Sequence, residues 1–125
     1  MMKNPIIAAV DDMFFAAKIR AVAESLNLGV RFAKSATAIL AAAREAKPAL
    51  IIFDLHSQKC DPFVTAKLIK ADEELRLVKL LGFYSHIHTA LRDQADAAGF
   101  DRVLPRSAFT THLAEILREG GAPPK

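Results

Sequence analysis

Three carboxylates stand where short apolar runs end. Asp11 and Asp12 follow Ile6-Ile7-Ala8-Ala9-Val10, and Asp54 follows Ala49-Leu50-Ile51-Ile52-Phe53. Runs of this length and kind suit fully buried parallel strands. If the two strands lie side by side, the three carboxylates converge at the carboxyl end of one sheet. Open α/β sheets bind ligands there. Clustered carboxylates repel one another, and a hard divalent cation such as Mg²⁺ relieves that repulsion with oxygen ligands. A single Asp after a strand is more simply a helix cap or a turn residue. A pair with a third at a matching strand end points instead to a site.

The elements that must position these residues can be read along the chain. Ile6 to Val10 forms a first strand. Phe15, Ile19, Val22 and Leu26 recur at spacings of four, three and four, one face of a helix, and Asn27-Leu28-Gly29 stops it. Val30 to Ala33 is a short second strand. Ser35 caps a helix with Ile39, Leu40 and Ala43 inward. Lys47-Pro48 ends that helix, because the residue before proline avoids helical geometry. Leu50 to Phe53 is the third strand. Asp61-Pro62 reads as an N-cap followed by proline in the first turn, and Phe63, Ala66, Ile69 and Leu68 are expected inward. Val78 to Phe83 is the fourth strand. A fourth helix carries Leu91, Ala95 and Ala98, with Gly99 placed to end it. Arg102-Val103-Leu104 is a fifth strand. Ser107 is expected to cap a last helix with Phe109, Leu113, Ile116 and Leu117 inward, and Gly120-Gly121 to end it.

Five strand–helix units imply an α/β fold, a doubly wound parallel sheet with helices on both faces. Right-handed crossovers and the flavodoxin-like (βα)5 strand order 2-1-3-4-5 place the first and third strands together at the switch point. That adjacency unites Asp11, Asp12 and Asp54.

Length and composition bound the rest. The 125 residues make one domain, with a core over about residues 5–119 and a frayed tail over 120–125. Hydrophobic residues make up 52% of the chain and suffice for a core. Net charge is +3, too small a bias for nucleic acid, and a single Tyr with no Trp offers little for base stacking. One cysteine, Cys60, excludes an internal disulfide and fits a reducing compartment. No run approaches the roughly 18 apolar residues of a membrane span, and no hydrophobic leader precedes the first strand. Cytoplasmic localisation is the expectation.

With these residues in view, the chain resembles a receiver domain of bacterial two-component response regulators over nearly its whole length. The resemblance rests on the acidic pair Asp11-Asp12 after the first strand, Asp54 after the third, Ser85 in Phe83-Tyr84-Ser85-His86 after the fourth, and Arg106 in Val103-Leu104-Pro105-Arg106 after the fifth. It implies a single-domain signalling protein, not an enzyme. Asp54 would accept a phosphoryl group from a sensor histidine kinase or phosphotransfer protein in a phosphorelay. Asp12 would ligate Mg²⁺ directly, Asp11 through water, and Asp54 and the backbone carbonyl of His56 would complete the metal set. Ser85 would bond a phosphoryl oxygen. Arg106 stands where the family has lysine, and its guanidinium is expected to reach Asp54. Because no further domain is expected, output would be protein–protein binding by a monomer or weak dimer, with Arg92, Asp96, Arg102 and Arg118 as exposed charges on the output face.

The chain also departs from the receiver pattern. Arginine is forked and permanently charged, so it is not equivalent to lysine at a tight phosphate site. His86 is bulky where receivers carry a small residue. Gln58 and Pro62 hold the offsets after Asp54 where receivers have proline and glycine, and Val103 replaces an aromatic on the fifth strand. These departures admit a second reading, a pseudo-receiver that keeps the fold and binds proteins but never carries phosphate. A small Mg²⁺-dependent hydrolase ranks last, since no phosphate-binding glycine loop is present. His56, His86 and His88 lack the spacing of a zinc site. Cys60 reads as a small packing residue. Phe15 belongs to the core, and partial burial is expected of Phe14.

Overall fold

A computed structural model describes residues 6–85 and 89–120. Five strands, β1 (Ile6–Ala9), β2 (Val30–Phe32), β3 (Leu50–Asp54), β4 (Lys79–Tyr84) and β5 (Arg102–Pro105), form one sheet in the order β2-β1-β3-β4-β5. Every described pairing is parallel. The register aligns Ala9 with Phe53 and Asp54 with Phe83, so β1, β3 and β4 finish together. This is the expected doubly wound architecture. The switch point falls between β1 and β3, where connections leave towards opposite faces.

Six helices follow the strands: α1 (Met13–Ser25), α2 (Ala36–Ala46), α3 (Pro62–Ala71), α4 (Thr89–Ala98), α5 (Arg106–Thr111) and α6 (Leu113–Gly120). The twofold alternation of strand side chains splits the core into two layers. Ile6, Ala8, Leu50, Ile52, Leu81 and Phe83 pack with α1, α5 and α6. Ile7, Ala9, Ile51, Phe53 and Leu80 pack with α2, α3 and α4. Both faces of the three central strands are covered, which explains their nearly unbroken apolar runs.

Local signals set most boundaries. Ser35 Oγ accepts the Ala38 N–H, and Asp61 Oδ1 accepts the N–H groups of Phe63 and Val64 with Pro62 opening α3. Asn27 and Lys47 take left-handed φ values of 59° and 48° at the ends of α1 and α2, and Gly99 takes 100° after α4.

Four expectations need correction. Ser107 does not cap the last helix. Pro105, already extended at φ −61° and ψ 149°, is the N-cap without a side-chain bond, and Ser107 lies inside α5. Its carbonyl instead accepts the Thr111 hydroxyl. The last helix is also interrupted, with a turn at His112 dividing α5 from α6. Leu68 is exposed, because Phe63, Ala66 and Ile69 already fill the inward stripe of α3. Phe14 is 91% exposed rather than partly buried. In the first turn of α1 only Phe15 points at the sheet, so Met13 and Phe14 project outward. Gly120 still belongs to α6, while Gly121 and the expected tail lie outside the described residues. No helix among the described residues is long and apolar enough to cross a membrane.

Candidate functional site

At the carboxyl end of the sheet, Asp11, Asp12, Asp54, His56, Gln58, Lys59, Ser85 and Arg106 line one cleft of about 700 Å³. Asp11 and Asp12 begin the β1–α1 connection, Asp54 is the last residue of β3, Ser85 follows β4, and Arg106 opens α5 after β5. The convergence expected of the three carboxylates is therefore present in one concavity.

Each acidic residue already has partners. Asp12 is the N-cap of α1: its Oδ1 accepts the N–H groups of Phe14 at 2.8 Å and Phe15 at 3.1 Å. Its Oδ2 accepts an N–H of the Arg106 guanidinium at 3.2 Å. The backbone bond from Phe15, then the Arg106 contact and the Phe14 bond, hold the Asp12 carboxyl below the usual aspartate range, outweighing partial desolvation. Asp11 takes the Ser57 hydroxyl, which lies 3.2 Å from Oδ1 and 3.1 Å from Oδ2, and its Oδ2 also accepts the Gln58 N–H at 3.3 Å. Asp54 Oδ1 accepts the His56 N–H at 2.9 Å.

The loop after β3 is thus fastened on two sides. Ser57 and Gln58 tie it to β1 through Asp11. His56 ties it to β4, its Nε2 accepting the Ser85 N–H at 3.1 Å. Ser57 Oγ also accepts the N–H groups of Lys59 and Cys60. Beneath the cleft, Phe15, Phe83 and Phe109 form an aromatic cluster with centroids 4.9–5.7 Å apart. The Arg106 guanidinium carbon lies 4.3 Å from the centre of the Phe15 ring, a cation–π distance.

Comparison with solved structures agrees with the fold. A chemotaxis response regulator of Vibrio cholerae matches at a TM-score of 0.81 with 17% identity, covering 96% of this chain and 99% of its own. A response regulator from Hahella chejuensis matches at 0.83 with 18% identity and 94% of both chains. A signal receiver domain from Bermanella marisrubri matches at 0.80 with 21% identity, covering 94% of this chain and 98% of its own. The chain has the response-regulator receiver fold. No protein-family model matches it, and neither does any curated protein.

Within the receiver fold, Asp11, Asp12, Asp54, His56, Ser85 and Arg106 all border the same cleft, as the sequence leads one to expect. The destination of Arg106 differs. Its guanidinium bonds Asp12, where the N-cap carboxylate and the Phe15 ring offer two contacts from one turn of α1. His86 and His88 lie outside the described residues. Ser57 and Lys59 are not marked by sequence, and Gln58 stands out there only as a departure from the receiver pattern. The available signal is a polar Ser-Gln-Lys run beginning three residues after Asp54, which turn chemistry alone also explains.

The donor set can be tested against the Mg²⁺ that the receiver fold implies. Carboxylate oxygens are the right donors. As arranged, however, both oxygens of Asp12 and both of Asp11 are taken by protein groups. Among the described residues no three His, Cys, Asp or Glu side chains are grouped closely enough to hold an ion. The residues in this arrangement do not fit a resident metal. Cys60 is also no candidate. Burial pushes its thiol up, and Asp11, Asp61 and Asp54 add to that effect against the Ser57 hydrogen bond.

Proposed function

We propose that this chain is a signalling module of the receiver type, with Asp54 as phosphoryl acceptor and protein binding as its output. One observation carries the reading: Asp54 ends β3 inside a cleft that also holds Ser85 and the Arg106 cation. A carboxylate oxygen of Asp54 would attack the phosphorus of a phosphohistidine on a kinase or phosphotransfer protein. The O–P bond forms as the P–N bond breaks, and the electron pair leaves with the donor's imidazole nitrogen, which binds a proton. Ser85, which lines the cleft, would donate its hydroxyl to a phosphoryl oxygen. Arg106 would turn from Asp12 to the new negative charge, in a charge-assisted contact. Magnesium enters this reading only as an ion that must compete with Arg106 for Asp12. The cytoplasm, where such kinases present their phosphohistidine, is the matching compartment.

Output would run over α4, β5 and the last helices, where Arg92, Asp96, Arg102 and Arg118 are exposed. A monomer or weak dimer suits such a surface, and DNA binding forms no part of the reading. The Arg106–Asp12 ion pair favours a second reading, the pseudo-receiver, in which Asp12 already has its counter-cation and the acidic end is never phosphorylated. Intact mass after exposure to a small phosphodonor separates the two. The first reading requires one phosphoryl group on the wild type and none on Asp54→Asn. The second requires none on either.

A further inference from the structure

We propose that Ser57 is a positioning residue for phosphoryl acceptance: its hydroxyl straps the β3–α3 loop to the end of β1 and so holds His56 where it bridges Asp54 to Ser85. The proposal rests on the reading of Asp54 as acceptor. Between the buried Leu55 and Cys60, the side chains of His56, Gln58 and Lys59 are exposed, and Ser57 alone is half-buried. A serine hydroxyl has one proton and two lone pairs, and here all are used. The proton goes to the Asp11 carboxylate, with Oδ2 at 3.1 Å and Oδ1 at 3.2 Å. The lone pairs accept the N–H groups of Lys59 at 3.3 Å and Cys60 at 3.4 Å. One side chain thus fixes both the curl of the loop and its place beside Asp11.

The curl carries His56. Its N–H donates to Asp54 Oδ1 at 2.9 Å, and its Nε2 accepts the Ser85 N–H at 3.1 Å. The first bond leaves Asp54 Oδ2 without a protein partner among the described residues, as the oxygen available to attack. His56 therefore sets the rotation of the acceptor carboxylate and the placement of Ser85 together. It is itself exposed, so its position depends on the strap made by its neighbour. Small misplacements of a reacting oxygen are costly in rate. The Ser57 N–H also donates to the Asp54 carbonyl at 3.0 Å, a backbone bond that survives any change of side chain. Ser57→Ala thus removes the strap and keeps the turn. The Gln58 N–H, 3.3 Å from Asp11 Oδ2, remains as a single longer tie.

Wild type, Ser57→Ala and the hydroxyl-retaining Ser57→Thr test this with acetyl phosphate as donor. In the step measured, Asp54 Oδ2 attacks phosphorus. The new O–P bond forms as the bond from phosphorus to the acetyl oxygen breaks, and the electron pair leaves with acetate. Intact mass against time gives the rate. Amide hydrogen exchange before donor is added reads the Ser85 N–H, which Ser57 does not touch. Ser57→Ala is expected to gain the phosphoryl group about threefold or more slowly than the wild type and to exchange the Ser85 amide faster. Ser57→Thr is expected to restore both. A wild-type rate in Ser57→Ala, unchanged Ser85 exchange, or a Ser57→Thr protein as slow as Ser57→Ala would overturn the proposal and leave the acceptor reading standing. No phosphoryl gain by the wild type would overturn that reading, and the proposal with it.

Discussion

Asp12 caps a helix and holds a cation with the same carboxylate, and both contacts stabilise its ionised form. Its folded pKa is accordingly below the ordinary value, chiefly through the Phe15 amide and next through Arg106. A carboxyl group with a depressed folded pKa contributes stability above its unfolded pKa. That contribution is lost as pH falls through the folded pKa. We predict that carbon-detected NMR titration places the Asp12 midpoint below the 3.8 of an unperturbed aspartate and that Arg106→Gln moves it upward. The upward move stays partial, because the amide of Phe15, the larger cause, remains. A midpoint unchanged by the substitution would mean that the ion pair does not persist in solution. This residue scale is also where sequence was least legible. That Asp12 follows an apolar run is a local fact. That Arg106 meets Asp12 rather than Asp54, across 94 positions, depends on the Phe15 ring beside Asp12, which no short-range pattern encodes.

Secondary elements were more readable, because their signals are local. Ser35, Asp61, Asn27 and Gly99 all end or begin helices as their chemistry directs. Ser107 misled because Ser is a strong capping residue, while Pro105 two positions earlier already supplied the extended geometry and a fixed φ. Ser35→Ala is expected to destabilise the protein by about 1 kcal/mol, the usual loss when a capping hydroxyl is removed. Chemical denaturation measures it, and a change near zero would mean that the Ser35–Ala38 bond contributes nothing. A steric demand operates on β4. A Cβ at Gly82 would stand 2.7 Å from Leu55 Cδ2, and Leu55 is buried next to Asp54. Gly82→Ala should therefore destabilise by about 1–3 kcal/mol, the range for overpacked cores. It should also shift the amide resonances of Asp54 and His56. Wild-type stability with unmoved resonances would show that Leu55 rearranges freely.

At the scale of the molecule, alternating apolar runs and amphipathic segments sufficed for the parallel sheet, because both faces of β1, β3 and β4 must be buried, while its order also needed right-handed crossovers and the flavodoxin-like topology. The sheet then delivers eight polar residues, from the carboxyl ends of four strands, to one cleft. Its chemistry turns on whether Asp54 takes a phosphoryl group despite the resident arginine. Intact mass spectrometry after incubation with a small phosphodonor and excess Mg²⁺ measures this most directly, on wild type, Arg106→Lys and Asp54→Asn. We expect the mass of one phosphoryl group on the wild type, equal or greater occupancy on Arg106→Lys, and none on Asp54→Asn. Absence of the added mass from both wild type and Arg106→Lys, or its persistence in Asp54→Asn, would contradict Asp54 as the acceptor.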